Sequence, residues 1–147
     1  MAVALAEAQK ALNKDEVPVG AIVVQNDEII GRGHNLVESL QDPTAHAEIL
    51  AITAASNATA SWRLDDAIIY TTLEPCPMCA GAILLARIKT VVYGAKDPRY
   101  GACGSKIRVI QNADLSTGTE VIDGIMNEEC SSLLKKFFEK LRDEPYQ

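Results

Sequence analysis

The spacing of apolar positions changes along this chain, and each change marks a different element. From Met1 to about Asn13, Ala and Leu recur among charged residues at helical spacing, so a first helix is predicted there. It opens on Met1 without a capping residue, which implies a frayed or missing first turn. Val19 to Val24 and Glu28 to Gly33 are apolar stretches flanking Gln25-Asn26-Asp27, the pattern of a hairpin closed by a tight polar turn. Leu36 to Gln41 keeps neither period and is expected to be irregular. Asp42-Pro43-Thr44 reads as a helix start, with Asp42 or Thr44 as cap and Pro43 in the first turn, running to about Ala58.

Further on, Ala67 to Leu73 is β-branched and apolar, a buried strand, and Cys76 to Arg87 returns to helical composition. Thr90 to Tyr93 predicts another short buried strand. Gly94, Pro98, Gly101 and Gly104 make the next stretch a long loop. Glu120 to Ile122 is a last candidate strand, and Asn127 to Arg142 an amphipathic helix. There is no repeat, low-complexity tract or linker. Strand-helix alternation after a hairpin therefore predicts one α/β domain over residues 1–147, a mixed sheet with helices on its faces.

Composition adds limits. With 147 residues, 48% hydrophobic and 23% charged, the chain can bury a real core. No apolar run has the length of a membrane span and no signal peptide is seen, so the expected compartment is the cytoplasm. There the four cysteines serve thiolate chemistry or packing in preference to disulfides, and the sequon Asn57-Ala58-Thr59 is coincidental. The net charge of −6 argues against a nucleic-acid partner, but its distribution does not. Between Arg87 and Arg108 lie six basic residues and one acid, while the flanking segments are both acidic. Such a segment suits RNA contact at one face and equally suits a solvated helix end and loop.

The chemistry is concentrated in two motifs, His46-Ala47-Glu48 and Pro75-Cys76-Pro77-Met78-Cys79. One imidazole and two thiolates fill three positions of a tetrahedral zinc and leave the fourth open for water, as hydrolytic sites require. That assigns His46, Cys76 and Cys79 as ligands of one Zn2+ and frees Glu48 to move protons. Cys76 and Cys79, three apart, share a helix face. His46 and Glu48, about 200° apart around a helix, converge on one ion only at the helix's N-terminal end. The site is thus expected where two helix starts face each other across parallel strands, at the strands' carboxyl edge. Cys103 and Cys130 lack ligand spacing and read as packing residues. His34 reads as structural or pocket-edge, Glu74 as a hydrogen-bond partner of backbone near the cysteine helix, and Asn35 as either a substrate contact or a turn residue.

The His-x-Glu and Pro-Cys-x-x-Cys pair resembles the zinc-dependent nucleobase deaminases. With Val17-Pro18-Val19-Gly20-Ala21, Asp42 to Ile49, Thr72 to Ala82 and Gly94-Ala95-Lys96-Asp97, nearly the whole chain is similar to the bacterial tRNA-specific adenosine deaminases, the TadA family. The resemblance implies a three-layer α/β/α cytidine-deaminase-like fold with a central mixed five-stranded sheet, working as a homodimer. It implies conversion of the wobble adenosine of an arginine tRNA anticodon to inosine with release of ammonia, using one zinc per subunit and no organic cofactor. Glu48 falls on the family's proton shuttle and Asn35 on its base-contacting residue. Lys96, Asp97 and Arg99 fall on its RNA-contacting loop, and Phe137 and Phe138 on aromatic positions of the C-terminal helix, with core packing expected for at least one of the two. Ser116-Thr117-Gly118, Tyr100, Lys106, Arg108 and the acidic net charge depart from the family pattern. Those departures concern RNA recognition and leave the deamination residues untouched. The rival readings are a free-base or nucleoside deaminase of guanine or cytosine type and a non-catalytic zinc module. Glu48 would have no purpose in the latter.

Overall fold

The structure, a computed structural model, describes residues 1–144, so the final three residues of the expected domain lie outside the described residues. Its elements are α1 (Ala2–Asn13), β1 (Gly20–Gln25), β2 (Glu28–His34), α2 (Val37–Leu40), α3 (Ala47–Thr59), β3 (Ile68–Leu73), α4 (Pro77–Leu85), β4 (Thr90–Ala95), β5 (Glu120–Ile122) and α5 (Asn127–Asp143). The strands form one sheet in the order β2-β1-β3-β4-β5. β1 runs antiparallel to both β2 and β3, whereas β3, β4 and β5 are parallel. This is the expected mixed five-stranded sheet. It also makes β2, β3 and β4 point the same way, so their carboxyl ends share one edge.

The hairpin follows from its turn residues. Asn26 and Asp27 both take left-handed φ, 52° and 62°, as a two-residue loop matched to strand twist requires. Asn and Asp tolerate that conformation better than other non-glycine residues. α1 and α5 cover one sheet face. α3 and α4 cover the other, where Ala21, Val23, Ile69, Val91 and Tyr93 pack with Ala47, Ala51, Ala55, Ala80 and Ile83. Three layers result. β4 is buried along its whole length, as a strand covered on both faces must be.

Small residues set the layer spacing. Ala47, Ala51 and Ala55 line the inward face of α3, and Gly31 lies against the Ala51 carbonyl and the Ala55 amide with no room for a Cβ. Gly20 lies equally close to the backbone of α1 at Ala4 and Ala8. α5 buries Cys130 and Phe137, and its acidic first turn (Glu128, Glu129) and basic last turn (Lys140, Arg142) complement the helix dipole. α1 forms its first turn from Ala2, the Leu5 amide donating to the Met1 carbonyl at 3.0 Å without a side-chain cap.

Two boundaries differ from expectation. Val37–Leu40 is a helical turn, not irregular chain, because the buried Glu16 carboxylate accepts from the Glu38 and Ser39 amides and from the Ser39 hydroxyl. α3 begins at Ala47 and not near Asp42. Asp42 Oδ1 instead accepts from the amide and hydroxyl of Thr44, at 2.8 and 2.7 Å, closing a local turn. Ala45 and His46 then lead into the helix, with His46 extended at φ −76°, ψ 151°.

Candidate active site

β2 and β3 each end on the shared carboxyl edge and lead there to a helix start. His46 is the N-cap residue of α3 and Glu48 its second residue, while Cys76 is the N-cap residue of α4 and Cys79 lies in its first turn. Both helices therefore point their positive ends at the same spot, where thiolates and carboxylates are favoured. The convergence expected from the two-residue spacing of His46 and Glu48 is met in this way. β1 lies between β2 and β3 and runs antiparallel to both, so the two helix starts meet across an antiparallel strand and not across adjacent parallel strands as expected.

His46 Nδ1 lies 3.5 Å from Cys76 Sγ and 3.5 Å from Cys79 Sγ. The three ligand atoms all fall within 4.8 Å of one another and could hold a metal ion. Cys76 is held down to about 4, first by the hydrogen bond Cys79 donates to it and then, against the cost of burial, by His46. Cys79, the donor, is pushed up and stays protonated. Hydrogen bonding to Cys76 in turn raises His46. Without metal the pair thus carries one negative charge, and a cation binding both sulfurs displaces the Cys79 proton.

Glu48 is 4% exposed. Burial pushes its carboxyl up to about 7, against the opposing pull of its own backbone N–H and of His46. A carboxyl poised there exchanges protons in both directions near neutral pH.

The remaining sequence-selected residues divide between the edge and elsewhere. Asn35 follows β2, is 8% exposed, donates to the Val17 carbonyl at 3.4 Å and accepts from the Val37 amide at 3.3 Å. Lys96, Asp97 and Arg99 follow β4 on the same edge. Lys96 lies 3.9 Å from Asp123, and Arg99 stacks over the Tyr100 ring at 5.1 Å. Asp97 turns inward, its Oδ1 accepting from the Arg99 and Tyr100 amides, so it shapes the loop. Phe137 is buried and Phe138 is 49% exposed beside Lys135, Leu141 and Arg142. The last turns of α5 reach the Asp15–Glu16 segment through a 3.0 Å pair between Lys140 and Asp15.

The basic run from Arg87 to Arg108 is not one patch. Arg87 and Lys89 precede β4, while Lys96 and Arg99 follow it, placing the two groups about 20 Å apart at opposite sheet edges. His34 is structural, bonded to Glu7 and Lys14 at 3.0 Å each. Cys103 and Cys130 are buried packing residues. Glu74 does bond to backbone, but to the loop after β4 and not to the cysteine helix. Glu16 escaped sequence reasoning altogether. Its only signal was an acidic residue directly before the apolar Val17-Pro18-Val19 stretch, which pulls it into the core.

With that geometry in hand, comparison with known proteins is direct. A family model described as MafB19-like deaminase matches residues 1–142. A tRNA-specific adenosine deaminase of Bacillus subtilis (strain 168) is 49% identical over 139 residues, 95% of this chain and 86% of that protein. A solved structure from a study of A-to-I editing by tRNA:A34 deaminases superposes with a TM-score of 0.87 at 42% identity, covering 90% of this chain and 96% of that one. A guanine deaminase from Nitrosomonas europaea superposes at 0.80 with 22% identity, over 92% of this chain and 81% of that one, which shows a shared fold alone. By its sequence across nearly its whole length and by its fold, the chain belongs to the tRNA-specific adenosine deaminase family of MafB19-like deaminases.

Proposed function

We propose that this chain, as one domain over residues 1–147, hydrolyses the wobble adenosine of an arginine tRNA anticodon to inosine, consuming water and releasing ammonia. The observation that carries the reading is a buried Glu48 carboxyl beside a His46–Cys76–Cys79 cluster, in a chain 49% identical to a tRNA-specific adenosine deaminase. Zinc fits the cluster. Bonds of about 2.3 Å to sulfur and 2.0 Å to nitrogen at tetrahedral angles separate N and S by about 3.5 Å. The two N···S distances are both 3.5 Å. When bound, one zinc per subunit supplies Lewis acidity that brings the ionisation of water toward neutral pH.

Glu48 takes a proton from the attacking water as it adds to C6 of the adenine. It delivers that proton to the adjacent ring nitrogen, then takes the second proton from the hydroxyl now on C6 and passes it to the departing amine, which leaves as ammonia while C6 becomes a carbonyl. A carboxyl raised to about 7 suits both halves of that shuttle. The hydrogen bonds of Asn35 within the chain are long, at 3.3 and 3.4 Å, which suits a side chain that also contacts the base. Lys96 and Arg99 face the RNA backbone at the same edge, Asp97 shapes their loop, and Phe138 offers a stacking surface from α5. Metal, water and protein groups suffice for this chemistry, so no organic cofactor is involved.

The working unit is a homodimer in the cytoplasm, where tRNA is edited. Its support is the outward face of α4, where Pro77, Met78, Gly81, Ala82 and Leu85 form an apolar stripe and Leu85 is 75% exposed. Contiguous apolar surface of this kind marks an association site. Among the described residues no helix is long and apolar enough to cross a membrane.

The test offers the zinc-loaded protein an arginine tRNA and, separately, free guanine and free cytosine. Inosine at the wobble position with no ammonia from the free bases is expected. Rapid deamination of a free base with no inosine in the tRNA would overturn the reading.

A further inference from the structure

One buried carboxylate has no part in the chemistry above. Glu74 directly follows β3, two residues before Cys76, and is 2% exposed. Its Oε1 accepts from the Asp97 amide at 3.2 Å and from the Ser105 hydroxyl. Its Oε2 accepts from the Cys103 amide at 3.0 Å and the Ser105 amide at 3.1 Å. The four acceptor positions of a carboxylate are thereby filled, which removes Glu74 as a second base. Among the described residues no cation pairs with it. Its charge is held by backbone N–H groups and one hydroxyl, all drawn from the loop that follows β4.

That loop has turns of its own, Asp97 accepting from the Arg99 and Tyr100 amides and the Gly101 carbonyl from the Lys106 and Ile107 amides, but Glu74 is the group on which its separate turns converge. Between β4 and β5 there is no helix or strand, only an isolated bridge between Cys103 and Arg108. The chain nevertheless wraps closely round the carboxylate. Gly101 sits against Glu74 Oε2 and the Asp97 carbonyl with no space for a Cβ. The Ala102 amide donates to the Pro75 carbonyl at 2.8 Å, tying the loop to the residue that precedes Cys76. Asp97, Cys103 and Ser105 are far enough apart in sequence that their amides converge on one group only if the whole segment is folded. The cationic side chains of the segment point away from this anchor: Lys96, Arg99 and Lys106 lie outside it, and Tyr100 is 55% exposed.

We propose that Glu74 is a positioning residue for the RNA. Its carboxylate gathers the backbone of residues 97–105 into one conformation and so fixes Arg99, Tyr100 and Lys106 on the carboxyl edge of the sheet, the edge to which the proposed function brings the anticodon loop. The inference rests on the tRNA reading above and adds to it the element that couples the cysteine motif to the basic loop. Glu74→Gln is close in shape but turns an amide N–H2 toward two backbone donors, which breaks half the anchor. Gly101→Ala leaves the carboxylate in place and pushes the loop off it.

The experiment compares the zinc-loaded wild type, Glu74→Gln, Gly101→Ala and the milder Ser105→Ala for metal content, steady-state kinetics on an arginine tRNA, and salt dependence of tRNA affinity. Hydrogen exchange at the Asp97, Cys103 and Ser105 amides reports the loop itself. Expected are one metal per subunit throughout, kcat within about twofold of wild type and KM raised about tenfold in Glu74→Gln and Gly101→Ala. The slope of log affinity against log salt should fall by about one to two, one for each cation drawn off the RNA. Ser105→Ala should move the same way by less. An unchanged KM despite faster amide exchange would overturn the proposal, as would loss of metal or a fall in kcat matching that in kcat/KM. A wild type that neither binds nor edits tRNA would refute the functional reading itself, whereas an active wild type with indifferent variants refutes the role of Glu74 alone.

Discussion

Replacing Glu48 with glutamine in the metal-free chain isolates the energetic consequence of burying that carboxyl. In the folded chain burial raises it from the ordinary value of 4.5 to about 7. The folded state therefore binds the proton more tightly than the unfolded state does. The sign follows directly. The associated stability is fully present below about pH 4.5 and is lost as pH rises through about 7. A difference of about 2.5 pH units at 1.36 kcal/mol each gives about 3 kcal/mol, since the group is almost wholly buried. The Glu48→Gln side chain has no proton to exchange, so its own cost of burial is constant with pH. Urea melts of both stripped proteins from pH 4.5 to 8 should thus diverge, the variant gaining about 3 kcal/mol relative to wild type across the range. Cys76 and His46 titrate in both proteins and cancel to first order in the difference. Parallel stability profiles would refute the reasoning. They would mean that Glu48 is solvated in the folded chain and not poised near neutrality.

Other consequences are equally direct. Gly31→Ala forces a Cβ against the Ala51 carbonyl and Ala55 amide and should cost about 1–3 kcal/mol in a urea melt, a loss below about 0.5 kcal/mol contradicting the close β2–α3 approach. At pH 7 iodoacetamide should alkylate Cys76 in the stripped chain, because it is held at about 4, and spare Cys103 and Cys130, which burial pushes up to about 12 and 11. Peptide mapping that finds Cys103 or Cys130 modified as fast as Cys76 would contradict that picture. If the proposed dimer packs through α4, wild type should sediment as a dimer and Leu85→Glu, at a position 75% exposed, as a monomer with a nearly unchanged melting midpoint; a monomeric wild type, or a dimer unaltered by the substitution, would contradict that interface.

What could be read from the sequence was local. The Asn26-Asp27 turn carries its own φ preference, so the hairpin was legible from two residues. That His46, Cys76 and Cys79 come together in a group that could hold a metal ion was legible because their residue types and spacing set them at two helix starts. What could not be read depends on contacts distant along the chain. The α2 turn exists because Glu16, more than twenty residues away, accepts its amides. Asp42 looked like a cap for α3 but spends its carboxylate on Thr44, and the helix starts five residues later. The loop role of Asp97, whose Oδ1 accepts from the Arg99 and Tyr100 amides, was likewise invisible until the chain was folded. The charge run was misleading for a geometric reason. A strand through its middle separates Arg87 and Lys89 from Lys96 and Arg99, which only the sheet could show.

In the proposed reaction Glu48 moves the protons of a hydrolytic deamination beside the His46–Cys76–Cys79 group, of which it is not itself a member. Glu48→Ala tests it most directly, with zinc content and inosine yield on an arginine tRNA measured on the same sample. The account predicts one zinc per subunit, as in wild type, with single-turnover inosine formation slowed about a thousandfold or more. Inosine formed at the wild-type rate by zinc-replete Glu48→Ala would contradict it.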